Sequence, residues 1–454
     1  MLTIANGLVL SGIELEPIKS NILIDDGKIL EISQEIAEGD IIDATGCIVC
    51  PSFLNAHTHI GDSIIKDEGD GKPIEEIVKP PNGLKHIAIL NSSDDDLMEG
   101  MKDSIWEMLE TGTTHFIDYR EGGVKGVKLL KKASKNIPID PIILGRDNSF
   151  FDEDPNLSKV KIAIRKLLKC CDGIAPSGFG EIQDEVAILI ADECRKHGKF
   201  SSIHAGEYEK LQQDSILEFG KTEVERAIGC GFDQLIHVTA AKGKDLDLIA
   251  KNNKSLVVCT RSNAMFANGF PPLFNILERG INPLIGTDNL MINSPNIFRE
   301  LEYTLKYMRA FYKNFIDPKE VLKMATSNHH VLSNKLYKKI KHIDKNEVLG
   351  SKDKGIDSKN KIIGFKNKDT DSKNKIINFK NRDIDDGFNN IKNNLNINKS
   401  IILENSYCEL MIVKKISKNP YLSLINRTEK SDIFFVINKD KLCKFNEKEE
   451  NLII

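Results

Sequence analysis

The stretch CPSFLNAHTHIGD, residues 50–62, decides the reading of this chain. An apolar run ends in His57 and His59, two residues apart. In a strand, residues i and i+2 point to the same face, so both imidazoles can grip one ion. Neutral imidazole is a good ligand for zinc and similar metals. An H-x-H alone is a weak signal, and it gains weight only from partners elsewhere in the chain.

Three further strand ends carry chemistry. In KFSSIHAG (199–206), His204 closes an apolar run and Glu207 stands three residues later. A carboxylate there can take a proton from an activated water and return it to a leaving group. DQLIHVT (233–239) ends near His237, and INPLIGTD (281–288) ends in Asp288. Asp288 can ligate a metal, accept a proton from its water, or both. All four positions fall at the C-terminal ends of predicted strands, where barrel enzymes build their sites.

The surrounding pattern predicts that barrel. A helix is expected from Ser93, with Asp94, Asp95 and Asp96 at its positive end and Leu97, Met101, Ile105, Met108 and Leu109 at helical spacing, up to Gly112. HFIDYR (115–120), IDPIILGR (139–146) and SLVVCTR (255–261) read as further strands. Strands alternating with helices give an α/β chain, a (β/α)8 barrel over 51–342. Residues 1–50 and 400–454 read as β-runs forming one composite β-sandwich domain, with a hairpin signal at Asp25-Asp26-Gly27. Between them, DSKNKIIGFKNKDT (357–370) is succeeded directly by DSKNKIINFKNRDI (371–384). This polar tandem repeat marks 343–399 as a low-complexity insertion expected to be disordered.

Composition narrows the function. With 63 basic and 67 acidic residues the net charge is −4, which gives no electrostatic case for nucleic acid or an anionic membrane. No apolar run reaches the length of a membrane span, and the start lacks the pattern of a signal peptide. Nine scattered cysteines read as free thiols of a cytoplasmic protein. Cys47 and Cys50 have no second pair to complete a zinc knuckle and are expected to be buried. His115, His329 and His330 lack ligand spacing and read as structural. The segment from Glu68 to Lys72 lacks the length and preceding strand of a phosphate-binding loop.

Arg120, Arg146 and Arg261 each close an apolar run, so they are expected to converge on the barrel mouth and bind an anionic group of a small-molecule substrate. Pairing with neighbours such as Glu121 or Asp147 is the alternative. The long loop after the first barrel strand is a candidate lid, with Lys66, Lys79 and His86 within reach of a substrate.

The series H-x-H, H-A-G-E, strand-end His and G-T-D-N resembles the amidohydrolase superfamily, and within it the cytosine, adenosine and S-adenosylhomocysteine deaminase and chlorohydrolase branch. CTRSNAMF (259–266) is similar to that branch's C-P-x-S-N element, with Thr260 where Pro is usual, and NPYLSLINR (419–427) is similar to its return into the β-domain. The resemblance implies one divalent metal, zinc in the first instance with iron, manganese or nickel as alternatives. It implies His57, His59, His204 and Asp288 as ligands, Glu207 as proton shuttle and His237 as a donor polarising water or substrate, with Glu207, His237 and Asp288 as the catalytic set. GIAPSGFG (173–180) has no lysine for the carbamylated bridge of two-metal members. The family is commonly homo-oligomeric.

The expected activity is hydrolytic deamination of an amino-substituted purine, pterin, pyrimidine or nucleoside carrying an anionic group. Hydrolysis of a cyclic amide or another C–X bond on the same site is the alternative. From another class, a non-catalytic ligand-binding barrel is opposed by the presence of all six catalytic positions.

Overall fold

The computed structural model describes residues 1–332, 401–445 and 452–453. The expected insertion at 343–399 lies outside them.

The barrel strands run in chain order: β6 (Phe53–His59), β7 (Thr113–Arg120), β8 (Asp140–Gly145), β9 (Gly173–Ile174), β10 (Phe200–Ala205), β11 (Gln234–His237), β12 (Ser255–Val258), and a last strand split into β13 (Leu284–Ile285) and β14 (Asp288–Asn289). Each pairs in parallel with the next, β13 bonds β12, and β14 bonds β6, which closes the ring. β6 and β7 are buried along their whole length, as parallel strands covered on both faces are. Leu54, Ile117, Tyr119, Leu144, Phe200, Ile236 and Val257 form one apolar cluster, as expected for a packed barrel interior.

Helices cover the ring. The helix Asp94–Glu110 begins where its sequence signals put it. Ser93 caps it by accepting from the Asp96 amide, and Leu97, Met101, Ile105, Met108 and Leu109 face the core. It stops at Gly112, whose φ of 84° suits a residue without Cβ. After β6 the loop folds into a 3-10 turn, Ile60–Ile65, and two short helices, Ile74–Val78 and Leu84–Asn91.

The chain ends build a second, nine-stranded sheet. It contains β1 (Leu2–Ser11), β2 (Glu16–Asp25), β3 (Lys28–Ser33), β4 (Asp40–Asp43), β5 (Cys47–Pro51), β15 (Glu409–Lys414), β16 (Ile433–Asn438), β17 (Lys441–Lys444) and β18 (Leu452–Ile453). β15 lies antiparallel to β5, so the two ends of the sequence are stitched together. Asp26 and Gly27, both with positive φ, form the two-residue turn between β2 and β3. Cys47 and Cys50 lie buried in β5, and all nine cysteines are free. No helix among the described residues is long and apolar enough to cross a membrane.

Candidate active site

β6 delivers His57 and His59 to one end of the barrel, and both are buried. Asp288 reaches them from β14: its Oδ1 lies 3.1 Å from Nε2 of His57 and 3.5 Å from Nε2 of His59. Its Oδ2 accepts a 2.6 Å hydrogen bond from Ser262 Oγ. His204 arrives from β10, with its ring 4.9 Å from that of His57. His57, His59 and His204 each offer a donor atom within 4.8 Å of the others, and His57, His237 and Asp288 do the same.

Two of these positions are strained. His237 has φ of 72° and Asp288 of 64°, a left-handed conformation that residues with a Cβ seldom adopt. Such strain persists where the surroundings over-determine it, as at functional sites. Gly286 explains how β14 comes so close. A Cβ there would meet His57 Cβ at 2.6 Å and His57 N at 2.7 Å, so only glycine lets the last strand close on the first at this height.

The donor atoms are bare. His57 Nδ1 and Nε2, His204 Nε2, His237 Nε2 and Asp288 Oδ1 are buried without a hydrogen-bond partner. Unpaired buried polar atoms are costly, and several facing one point are the signature of a cation site. Protonation suits the same end. Burial lowers His57 to about 4, pushes His59 well down, and lowers His204 as well, so all three rings are neutral at pH 7. Burial alone would raise Asp288, but the His57 ring 3.1 Å away and the neighbouring histidines hold it well below the carboxylate range. Neutral nitrogens with one carboxylate fit a divalent metal.

Glu207 stands beside this cluster, 3.6 Å from His204 Nδ1 and 3.7 Å from His237 Nε2. Burial pushes its carboxyl up, yet His237 and His204 outweigh that and leave it below its ordinary value, ionised and able to accept a proton. His237 Nδ1 lies 3.0 Å from Asn263 Oδ1, while the Asn263 amide nitrogen donates to Thr239. The oxygen therefore faces the ring and accepts from Nδ1, which leaves Nε2 facing Glu207.

A cavity opens onto the cluster, lined among others by His59, Lys85, Arg146, Glu181, His204, Glu207 and Asp288. Of the three arginines, Arg146 alone is in this lining. Arg120 borders a separate cavity and donates to Glu121 Oε2 at 2.7 Å. Arg261 sits in the first turn of the helix Thr260–Met265, beside Glu300 at 3.7 Å and bonded to the Ser294 carbonyl. Arg146 also pairs with Glu121, at 2.7 Å. The expectation that all three converge unpartnered on the mouth is therefore corrected. A buried guanidinium needs a counter-charge, and each found one within the protein. Lys79 joins the cavity lining, His86 bonds the Val78 carbonyl, and Lys66 is not among the lining residues.

Sequence reasoning passed over Lys85 and gave Glu121 only the part of an arginine's partner. Lys85 is 2% exposed, with Nζ 3.1 Å from Glu121 Oε1. No local pattern marks a lysine as buried. Asp62 carries no local signal either: it accepts from Asn289 Nδ2 and the Met291 amide, tying the end of β14 to the loop after β6.

The model of the amidohydrolase family matches residues 48–330. A Methanothermobacter thermautotrophicus protein provisionally named an aminohydrolase is 40% identical over 98% of this chain and 99% of its own. A 5-methylthioadenosine/S-adenosylhomocysteine deaminase of Caldicellulosiruptor saccharolyticus is 27% identical over 69% of this chain and 76% of its own. Among solved structures, a zinc-bound adenosine deaminase from Xanthomonas campestris superposes with TM-score 0.70 at 15% identity, covering 96% of this chain and 91% of its own. The zinc complex of an atrazine chlorohydrolase from Arthrobacter aurescens gives 0.72 at 14%, covering 97% and 94%. These two likenesses show the fold.

Proposed function

The chain belongs to the amidohydrolase family, and on that premise we propose that it hydrolytically deaminates an amino-substituted heterocycle bearing an anionic group, with one divalent metal held by His57, His59, His204 and Asp288. The observation that carries the proposal is the set of buried, unbonded atoms on His57, His204, His237 and Asp288, with His59 beside Asp288 and the ionised Glu207 alongside. Three nitrogens and a carboxylate oxygen suit zinc. When bound, such a metal supplies Lewis acidity and lowers the pKa of water.

The chain's own residues supply the rest. Glu207 accepts the proton of the attacking water and returns it to the leaving nitrogen, which departs as ammonia. His237 shares that proton through Nε2, and once charged it can donate to the developing negative charge, with Asn263 holding its ring. Asp288 keeps its outer oxygen on Ser262, which fixes the inner one toward the histidines. Lys85 and Arg146 bring two cations to a cavity wall that Glu181 shares, and these are the groups that would meet a negative charge on the substrate. The names of the deaminase relatives agree with this reaction class.

The test is an ammonia-release screen of zinc-loaded protein against purines, pterins, pyrimidines and nucleosides, each with and without an acidic group. Turnover of an acidic member, lost in Glu207→Gln, is the expected result. Hydrolysis without ammonia would move the reaction to a cyclic amide or another C–X bond. Zinc binding with no turnover of any ring class would leave a ligand-binding barrel.

A further inference from the structure

Glu121 comes directly after β7, and its side chain is 5% exposed. Its carboxylate has four partners. On Oε1 it meets Arg146 Nη2 at 2.7 Å, Lys85 Nζ at 3.1 Å and His59 Nδ1 at 3.3 Å; on Oε2 it meets Arg120 Nη2 at 2.7 Å. Charge balance among three cations and the nearby acids explains the first, second and fourth contacts. It does not explain the third.

The contact with His59 has a consequence for the ring. A carboxylate flanked by three cations is an acceptor only, so His59 carries its hydrogen on Nδ1 and leaves Nε2 bare, 3.5 Å from Asp288 Oδ1. The other rings differ. Neither nitrogen of His57 has a hydrogen bond, and His237 leans on a neutral amide. His59 is thus set by a charged acceptor that is itself gripped from three sides. Hydrogen bonds of this kind orient a ligating imidazole and raise its basicity.

We infer that Glu121 is a positioning residue for the metal: through Nδ1 of His59 it fixes the tautomer and angle at which Nε2 meets the ion, and Lys85, Arg120 and Arg146 hold it in place to do so. This rests on the reading that His57, His59, His204 and Asp288 hold one metal.

The test measures metal binding and needs no substrate. Full-length metal-free protein is titrated with zinc in competition with a chromophoric chelator, and the visible spectrum of the cobalt(II) form is recorded. Circular dichroism confirms folding. Glu121→Gln keeps the shape and removes the charge. Glu121→Asp keeps the charge for the three cations but withdraws it by about one bond length, ~1.5 Å, so it carries the test if the Gln variant does not fold. Arg120→Met disturbs the same cluster from the Oε2 side. The expected result is zinc bound about 10- to 100-fold more weakly by both Glu121 variants, with altered cobalt bands, and a smaller loss in Arg120→Met, which leaves Glu121 held on Oε1 by Lys85 and Arg146. Wild-type affinity and spectrum in the Glu121 variants would overturn the inference, as would an equal loss in all three. A wild-type chain that binds neither zinc nor cobalt would instead remove the metal reading on which the inference stands.

Discussion

Gly286 is the point at which fold and site can be separated by one methyl group. In Gly286→Ala the new Cβ would stand 2.6 Å from His57 Cβ, 2.7 Å from His57 N and 3.0 Å from His57 Cα. Ordinary carbon contacts lie near ~3.5–4.0 Å, so the last strand and the first must part by about 1 Å. Backbone, not a flexible side-chain tip, is in the way, so the cost should match overpacking of a core, ~1–3 kcal/mol. The displacement also falls on the metal. His57 is itself displaced and Asp288 lies two residues on, while metal–ligand distances tolerate only about 0.2 Å. Losing one good ligand of four should weaken zinc by roughly 100-fold, which at saturating zinc removes a further ~2.7 kcal/mol of linked stability. The variant should therefore melt a few degrees lower without zinc, and show a larger deficit, by roughly a factor of two, with it. Thermal denaturation with and without zinc, together with chelator competition, reads both numbers. Equal deficits in the two conditions would refute the claim that strand closure sets the donor geometry, and no deficit in either would show that the strands part freely.

Three further outcomes are expected. Glu207→Gln should retain zinc and melt like the wild type while turnover falls by about 10²- to 10⁴-fold; loss of zinc would make it a ligand and not a shuttle. Arg146→Met should raise KM for the acidic substrate by roughly 10- to 1000-fold, from ~1.5–3 kcal/mol for one or more charged hydrogen bonds, and affect an uncharged analogue much less; equal losses would assign Arg146 to the fold. Glu223 is buried and its carboxyl is pushed up from 4.5 to about 7, chiefly by burial, against the pull of the Gly206 amide on Oε2. A raised carboxyl favours the protonated folded state, so its contribution is whole below 4.5 and is lost as pH rises through about 7. The stability of the wild type relative to Glu223→Gln should fall across that window in parallel denaturant titrations, and a gap independent of pH would contradict the assignment.

Much of the fold was legible along the chain because it is periodic. The helix from Asp94 showed its cap and its buried face, and the barrel strands appeared as short apolar runs of regular spacing. His57, His59, His204, Glu207, His237 and Asp288 were legible because each stands at the end of such a run, and the ends of parallel barrel strands share one rim. The split of the last strand at Gly286 and Thr287 was not, since it is defined by pairing with β12 on one side and β6 on the other.

The sequence by itself determined which residue types meet at the rim, because strand direction and side-chain alternation are local properties. Only the tertiary structure decided which charges are already spent. Arg120, Arg146 and Arg261 look alike as strand-end arginines. Yet Glu121 takes the first two, Glu300 stands beside the third, and only Arg146 is left against the cavity. Lys85, unmarked in its helix, is buried against the same Glu121. The reason is physical: pairing of buried charges depends on distances of a few ångströms between segments remote in the chain, and no local pattern encodes those distances.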